Sequence, residues 1–237
     1  MVRRRRSIWD IFDEFFEDIF EDLDKEFRDW MKKIDIQNKE IYLNIENTLG
    51  EHEKFGSLKA LNLILDKYGL DEDYLIVAGD NIFSFDFNDM IRRFHEKNAS
   101  LIALYNIKDK NKAKRFGVVK VDSNGRVIDF VEKPSNPFSS LISTGCYLFT
   151  KKDISLLPLY IENNLDPDSP GRFIEWLHRR VPVYGYPFSG YWFDIGTPDA
   201  YIGAFKFLTK ESIIYDDTNI EENVKIKNPV IILGRTE

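Results

Sequence analysis

Residues 74–81 read Tyr74-Leu75-Ile76-Val77-Ala78-Gly79-Asp80-Asn81. Five apolar residues in a row, closed by glycine, have the length of a strand rather than a helix. An unbroken apolar run is the pattern of a strand covered on both faces, as in a parallel sheet. Upstream, residues 41–45 alternate like a strand and residues 57–68 carry helical periodicity stopped by Gly69. Downstream, the pattern predicts a helix over 87–96 and a strand over 100–106. Strands over 117–121 and 126–131 follow, joined by Ser123-Asn124-Gly125, a strong hairpin signal. A strand over 142–149, a helix over 171–180 and a strand over 183–188 come next. A last helix starts at Thr197, an N-cap residue followed by Pro198 at the first helical position. Strand and helix in alternation predict an α/β fold: a Rossmann-like, mainly parallel mixed sheet flanked by helices.

Two flanking regions differ in pattern. Residues 7–33 repeat Trp, Phe, Ile, Leu and Met at steps of three and four with acids between, which predicts an amphipathic helix with a wide aromatic face. Such a face needs cover from the chain itself, another copy or a partner, because each buried aromatic contributes on the order of 2 kcal/mol. A homo-oligomer is the expectation. The last stretch, 211–237, spaces Ile214, Ile220, Val224, Ile226, Val230 and Ile232 among turn-forming residues, like the beginning of a β-solenoid. The expected organisation is therefore a helical extension at 1–35, an α/β domain at 36–210 and a solenoid stub at 211–237.

Composition narrows the function classes. The chain has 237 residues, 43% of them hydrophobic, enough for one full core. A net charge of −7 offers no general attraction to nucleic acid. The single Cys146 permits no internal disulfide, which fits a reducing, cytoplasmic setting. No apolar run is long enough to span a bilayer, and the acidic polar face of the N-terminal helix argues against a membrane surface. The histidines, His52, His95 and His178, lie in unlike surroundings and suggest neither a zinc cluster nor a catalytic triad.

Candidate chemistry sits at strand ends. Asp80, directly after the apolar run, is placed to hold a hard cation such as Mg²⁺, since ligands of open α/β sheets bind at the carboxyl ends of strands. It could equally cap a turn. Glu132-Lys133-Pro134 ends the hairpin. A bend there would let Glu132 accept from sugar hydroxyls and Lys133 neutralise a phosphate; an exposed charged pair is the plain alternative. Gly145, inside an apolar strand beside Ser143 and Thr144, marks either close contact with a ligand or a packing bulge. Asp194 lies between Trp192-Phe193 and Ile195-Gly196, where a carboxylate is costly without a cation or donors to compensate it.

Taken together, Gly79-Asp80-Asn81-Ile82-Phe83, Arg115-Phe116-Gly117-Val118-Val119, Val131-Glu132-Lys133-Pro134, Ser143-Thr144-Gly145-Cys146-Tyr147-Leu148-Phe149 and Tyr191-Trp192-Phe193-Asp194-Ile195-Gly196-Thr197-Pro198 resemble, in order and spacing, the sugar-1-phosphate nucleotidyltransferases. The resemblance runs from about residue 41 to 210. It implies sugar 1-phosphate and nucleoside triphosphate as substrates and Mg²⁺ as cofactor, held by Asp80 and Asp194. Asp80, Lys133 and Asp194 would be the catalytic set. Gly117, Glu132, Lys133, Thr144, Gly145 and Trp192 would bind the sugar phosphate, with Thr144 and Gly145 acting through backbone groups. Gly56, Ser57 and Gly79 would contact the nucleotide. The family's N-terminal glycine-rich loop, which wraps the triphosphate, has no counterpart here. Two expectations therefore stand side by side: a nucleotidyltransferase, or a non-catalytic sugar-phosphate-binding relative that assembles through its N-terminal helix.

Overall fold

The computed structural model describes residues 56–69, 72–163, 165–209, 213–214, 225 and 231–232, all within the unit Glu51–Glu237. The amphipathic helix expected at 7–33 and the strand expected at 41–45 lie outside these residues. The elements in chain order are α1 (Ser57–Tyr68), β1 (Tyr74–Val77), β2 (Asn81–Phe83), α2 (Phe87–Lys97), β3 (Ser100–Asn106), α3 (Lys110–Ala113), β4 (Gly117–Val121) and β5 (Val127–Glu132). There follow β6 (Leu141–Phe149), α4 (Lys151–Ile154), α5 (Leu157–Glu162), α6 (Pro170–Leu177), β7 (Val183–Phe188), β8 (Trp192–Asp194) and α7 (Pro198–Leu208). Two two-residue strands, β9 (Ile213–Ile214) and β10 (Ile231–Ile232), pair in parallel near the C-terminus.

Local signals bound the helices, and the cap expected at Thr197 is among them. Asp86 accepts a hydrogen bond from the Asn88 amide to start α2, and Asn98 ends it in the left-handed conformation. Thr197 accepts from the Ala200 amide with Pro198 at the first position of α7.

The sheet is mixed, not mainly parallel. Its order is β5-β4-β6-β3-β7, with β1 also on β6, and β3·β7 is its one parallel pair among the described strands. The reason lies in the order of the strands. Strands β1, β3 and β4 are all antiparallel to β6 and so share one direction. Because β6 inserts between β3 and β4, two strands that would have made a parallel pair make two antiparallel ones instead. Alternating strand and helix in a sequence reports direction, not neighbours. The full burial expected for 74–78 is corrected for the same reason: β1 pairs only with β6 among the described strands, and all its residues are half-buried.

One edge of β6 serves two partners. Strand β1 pairs with Cys146–Phe149, and β4 with Ile142 alone. Between them the edge opens at Ser143–Gly145, forming a fork. Helices cover both faces of the sheet. On one, Leu58 and Leu65 of α1 and Phe173, Ile174 and Leu177 of α6 join Tyr147 and Phe149 in the largest core. On the other, Met90 of α2 lies against Cys146, with the two sulfurs 3.9 Å apart. Cys146 is fully buried, and burial pushes its thiol pKa well up, so it is an inert core residue.

Candidate active site

The fork organises the site because the chain leaving β1 crosses it. The Ala78 amide donates to the Gly145 carbonyl at 2.9 Å, and a turn closed by the Asn81 amide on the Ala78 carbonyl carries Gly79 and Asp80. Gly145 adopts φ 74°, and a Cβ there would meet the Ala78 Cβ at 3.1 Å. The glycine therefore permits the close crossing of one backbone by another.

Beyond the turn, β2 pairs antiparallel with β8, setting Asn81 opposite Asp194 and Phe83 opposite Trp192. The Ile195 amide donates to the Asp80 carbonyl at 2.8 Å, extending the ribbon. This brings the two acids together across 114 positions of sequence. A Cβ placed on Gly196 would lie 3.2 Å from Asp194 Oδ1 and 3.3 Å from Asp80 Oδ2. Both oxygens thus border one small space, kept open by the missing side chain. Asp80 is exposed and Asp194 half-buried. Among the described residues no cluster of three or more His, Cys, Asp or Glu is gathered. Two carboxylates with open positions around them suit a small hard cation that keeps waters and binds phosphate oxygens, so the donor set fits Mg²⁺.

Glu132 and Lys133 separate as strand β5 ends. Lys133 takes a left-handed φ of 48° while its amide donates to the Phe116 carbonyl at 3.1 Å. For a residue with a Cβ this conformation is strained, and such strain gathers at functional sites. Glu132 turns inward and is only 9% exposed. Its carboxyl lies beneath the first turn of α6, accepts from Ser169 Oγ at 3.3 Å, and is flanked by Gly117 and Gly171. A Cβ on Gly117 would stand 2.9 Å from Glu132 Oε2 and 2.4 Å from Phe130 Cζ, so Gly117 makes room for both. Desolvation raises the Glu132 pKa above 4.5, partly opposed by the positive charge of Lys133, the Ser169 hydrogen bond and Arg172.

The remaining residues are placed as follows. Thr144 is buried and its hydroxyl donates to the Ala103 carbonyl at 3.2 Å, leaving only backbone groups to face the fork. The Trp192 indole Nε1–H donates to Asn81 Oδ1 at 2.7 Å, and its ring meets Phe116 edge-on at 5.1 Å. Phe116 thereby links the Lys133 backbone to the ribbon. Gly79 is exposed in its turn, with open space beside it. Gly56 and Ser57 are not joined to the carboxylate pair by any described contact. Instead the Leu58 amide donates to the Pro167 carbonyl and Ser57 Oγ to the Asp168 carbonyl, each at 3.0 Å. The Ser57 hydroxyl, expected to contact a nucleotide, is thus engaged by the chain itself. Sequence reasoning missed Asn81, Ser169 and Gly171, whose importance rests on tertiary neighbours. It also missed the ribbon, whose three-residue strands are too short to show periodicity.

Known proteins resemble this chain in sequence and in fold. A family model described as nucleotidyl transferase matches residues 19–211, beginning inside the segment expected as a helical extension. A glucose-1-phosphate adenylyltransferase of Thermomicrobium roseum is 41% identical over 135 residues, which is 54% of this chain and 31% of that protein. The chain therefore spans about a third of the length of that curated relative. A structure assigned as a glucose-1-phosphate thymidylyltransferase of Bacillus anthracis, in complex with sucrose, superposes with a TM-score of 0.57 at 26% identity, over 69% of this chain and 65% of that one. A UDP-glucose pyrophosphorylase complexed with UDP-glucose shares the fold, with a TM-score of 0.54 at 21% identity over 63% and 60% of the two chains. With two acids converging at Gly196 and a family match covering most of its length, the chain belongs to the nucleotidyl transferase family, as the resemblance to sugar-1-phosphate nucleotidyltransferases implied.

Proposed function

We propose that this chain carries the sugar-phosphate and metal half of a sugar-1-phosphate nucleotidyltransferase. In that reaction an oxygen of the sugar phosphate attacks the α-phosphorus of a nucleoside triphosphate in line, the bond to the β-phosphate breaks, and pyrophosphate leaves with an NDP-sugar as product. The observation that carries the reading is the meeting of Asp80 Oδ2 and Asp194 Oδ1 beside Gly196. Mg²⁺ held by these two carboxylates would neutralise phosphate charge and template the phosphates. The rest falls to the chain's own residues. Lys133, held at the end of β5 by its backbone bond to Phe116, would neutralise the sugar phosphate. Glu132, once ionised, would accept from sugar hydroxyls, while the Thr144 and Gly145 backbone would border the ring. Rate would come from orientation and electrostatic stabilisation rather than from a covalent intermediate.

Pyrophosphate release from a panel of nucleoside triphosphates and sugar 1-phosphates with Mg²⁺ tests this reading, and absence of release with every pair would refute catalysis. Binding of glucose 1-phosphate in calorimetry without turnover would instead assign the non-catalytic alternative. The parallel pairing of β9 with β10 is what successive turns of a solenoid would share, and supports reading 211–237 as its start. No described helix is long and apolar enough to cross a membrane. The single buried thiol supports a cytoplasmic setting, and assembly of copies through residues 7–33 stays part of the proposal.

A further inference from the structure

Asp80 has two carboxylate oxygens, and the structure distinguishes them. Oδ2 borders the space at Gly196 shared with Asp194 Oδ1, whereas Oδ1 accepts a hydrogen bond from Asn81 Nδ2 at 2.7 Å. The orientation of the Asn81 amide follows from chemistry. An indole N–H can only donate, so the atom of Asn81 at 2.7 Å from Trp192 Nε1 must be its oxygen. That turns the NH₂ group toward Asp80. Trp192 is itself held by Phe116 and Tyr105, with ring centroids 5.1 and 5.9 Å away, and by the pairing of β8 with β2.

We propose that Trp192, acting through Asn81, is a positioning residue for Asp80: the donor chain Trp192 Nε1–H to Asn81 Oδ1, and Asn81 Nδ2–H to Asp80 Oδ1, engages one carboxylate oxygen so that the other faces Asp194. The inference rests on the reading of Asp80 and Asp194 as a cation pair. It assigns Trp192 a task separate from any contact of its ring with a sugar, since its N–H is already used. Partners that orient a metal ligand in this way change metal affinity by about 10-fold or more when removed.

The test uses the full chain with Mn²⁺ alone, free Mn²⁺ being counted by electron paramagnetic resonance, without nucleotide or sugar phosphate. Trp192→Phe keeps an aromatic ring but removes the donor, and Asn81→Leu removes the link at similar size. Each should weaken Mn²⁺ binding about 10-fold, and the double variant should bind no more weakly than Asn81→Leu alone, because both act along one path. A second readout follows the indole itself. In ¹⁵N-labelled protein the Trp192 side-chain resonance, identified as the one missing in Trp192→Phe, should move on titration with Mg²⁺. In Asn81→Leu it should stay still. Unchanged Mn²⁺ affinity in Trp192→Phe, with or without a fall in thermal stability, would overturn the relay while leaving the carboxylate pair intact. Absence of Mn²⁺ binding by the unaltered chain would instead refute the cation pair, and the relay with it.

Discussion

Replacing Gly171 with alanine tests the burial of Glu132, on which the sugar-hydroxyl role depends. A Cβ at this position would lie 1.9 Å from Glu132 Oε2, 2.4 Å from Cδ and 3.0 Å from Oε1. The carboxyl group must therefore move by more than about 1 Å to restore ordinary contact. It has little room, because its other oxygen is held by Ser169 and the space beside Gly117 is shared with the Phe130 ring. Overpacking of this kind costs about 1–3 kcal/mol, and loss of the Ser169 hydrogen bond about 1 more. Against it stands the helix propensity of alanine over glycine, at most about 1 kcal/mol in the first turn of α6. The balance is a net destabilisation of about 1–3 kcal/mol. In a Glu132→Ala background no carboxyl remains to be displaced, so the same substitution should be neutral or stabilising by up to about 1 kcal/mol. Urea denaturation of the four proteins of this cycle, read at constant slope, gives the coupling directly; about 2–4 kcal/mol is expected. If Gly171→Ala were equally well tolerated in both backgrounds, the Glu132 side chain would not lie beneath α6 and the reasoning would fail.

Further outcomes follow from the same geometry. Burial raises the Glu132 pKa above 4.5, so the fold favours its neutral form; its contribution to stability is complete below pH 4.5 and is lost as pH rises through the folded-state value. Glu132→Gln, which carries no charge, should therefore gain in melting temperature over the unaltered chain as pH rises from 4.5 to 8, and a gap that did not widen would contradict this. Lys133→Gly relieves a left-handed residue and should leave stability unchanged or raise it by about 1 kcal/mol, while weakening glucose 1-phosphate binding in calorimetry. Loss of stability together with retained binding would argue that Lys133 is structural. Gly196→Ala sets a methyl group 3.2 and 3.3 Å from the paired carboxylate oxygens and should weaken Mn²⁺ binding about 10-fold with little change in the melt; unchanged affinity would move the cation elsewhere.

How much of this was legible beforehand depended on the range of the interaction. Strands 100–106 and 183–188 and helix 57–68 fall where their periodicity placed them, and Thr197-Pro198 starts α7 as its capping chemistry dictates. Asp80 and Asp194 stood out as acids at strand ends, and Gly145 as a glycine inside a strand. Asn81 did not stand out. Its importance lies in accepting from Trp192, 111 positions away, and no local pattern encodes that partner. The inward turn of Glu132 was equally hidden, because it depends on Gly171 of α6 and on Ser169 at that helix's N-cap.

The amino-acid order alone placed the longer strands and helices and showed which residue types could carry phosphate and metal chemistry, since propensity, capping and periodicity act within a few residues of one another. Only the tertiary structure decided that β6 would insert between β3 and β4, making the sheet mixed, and that a three-residue ribbon would bring Asp80 against Asp194. Strand order and side-chain convergence are settled by the burial of whole faces and the pairing of distant backbones. Those energies exist only once the chain has closed on itself.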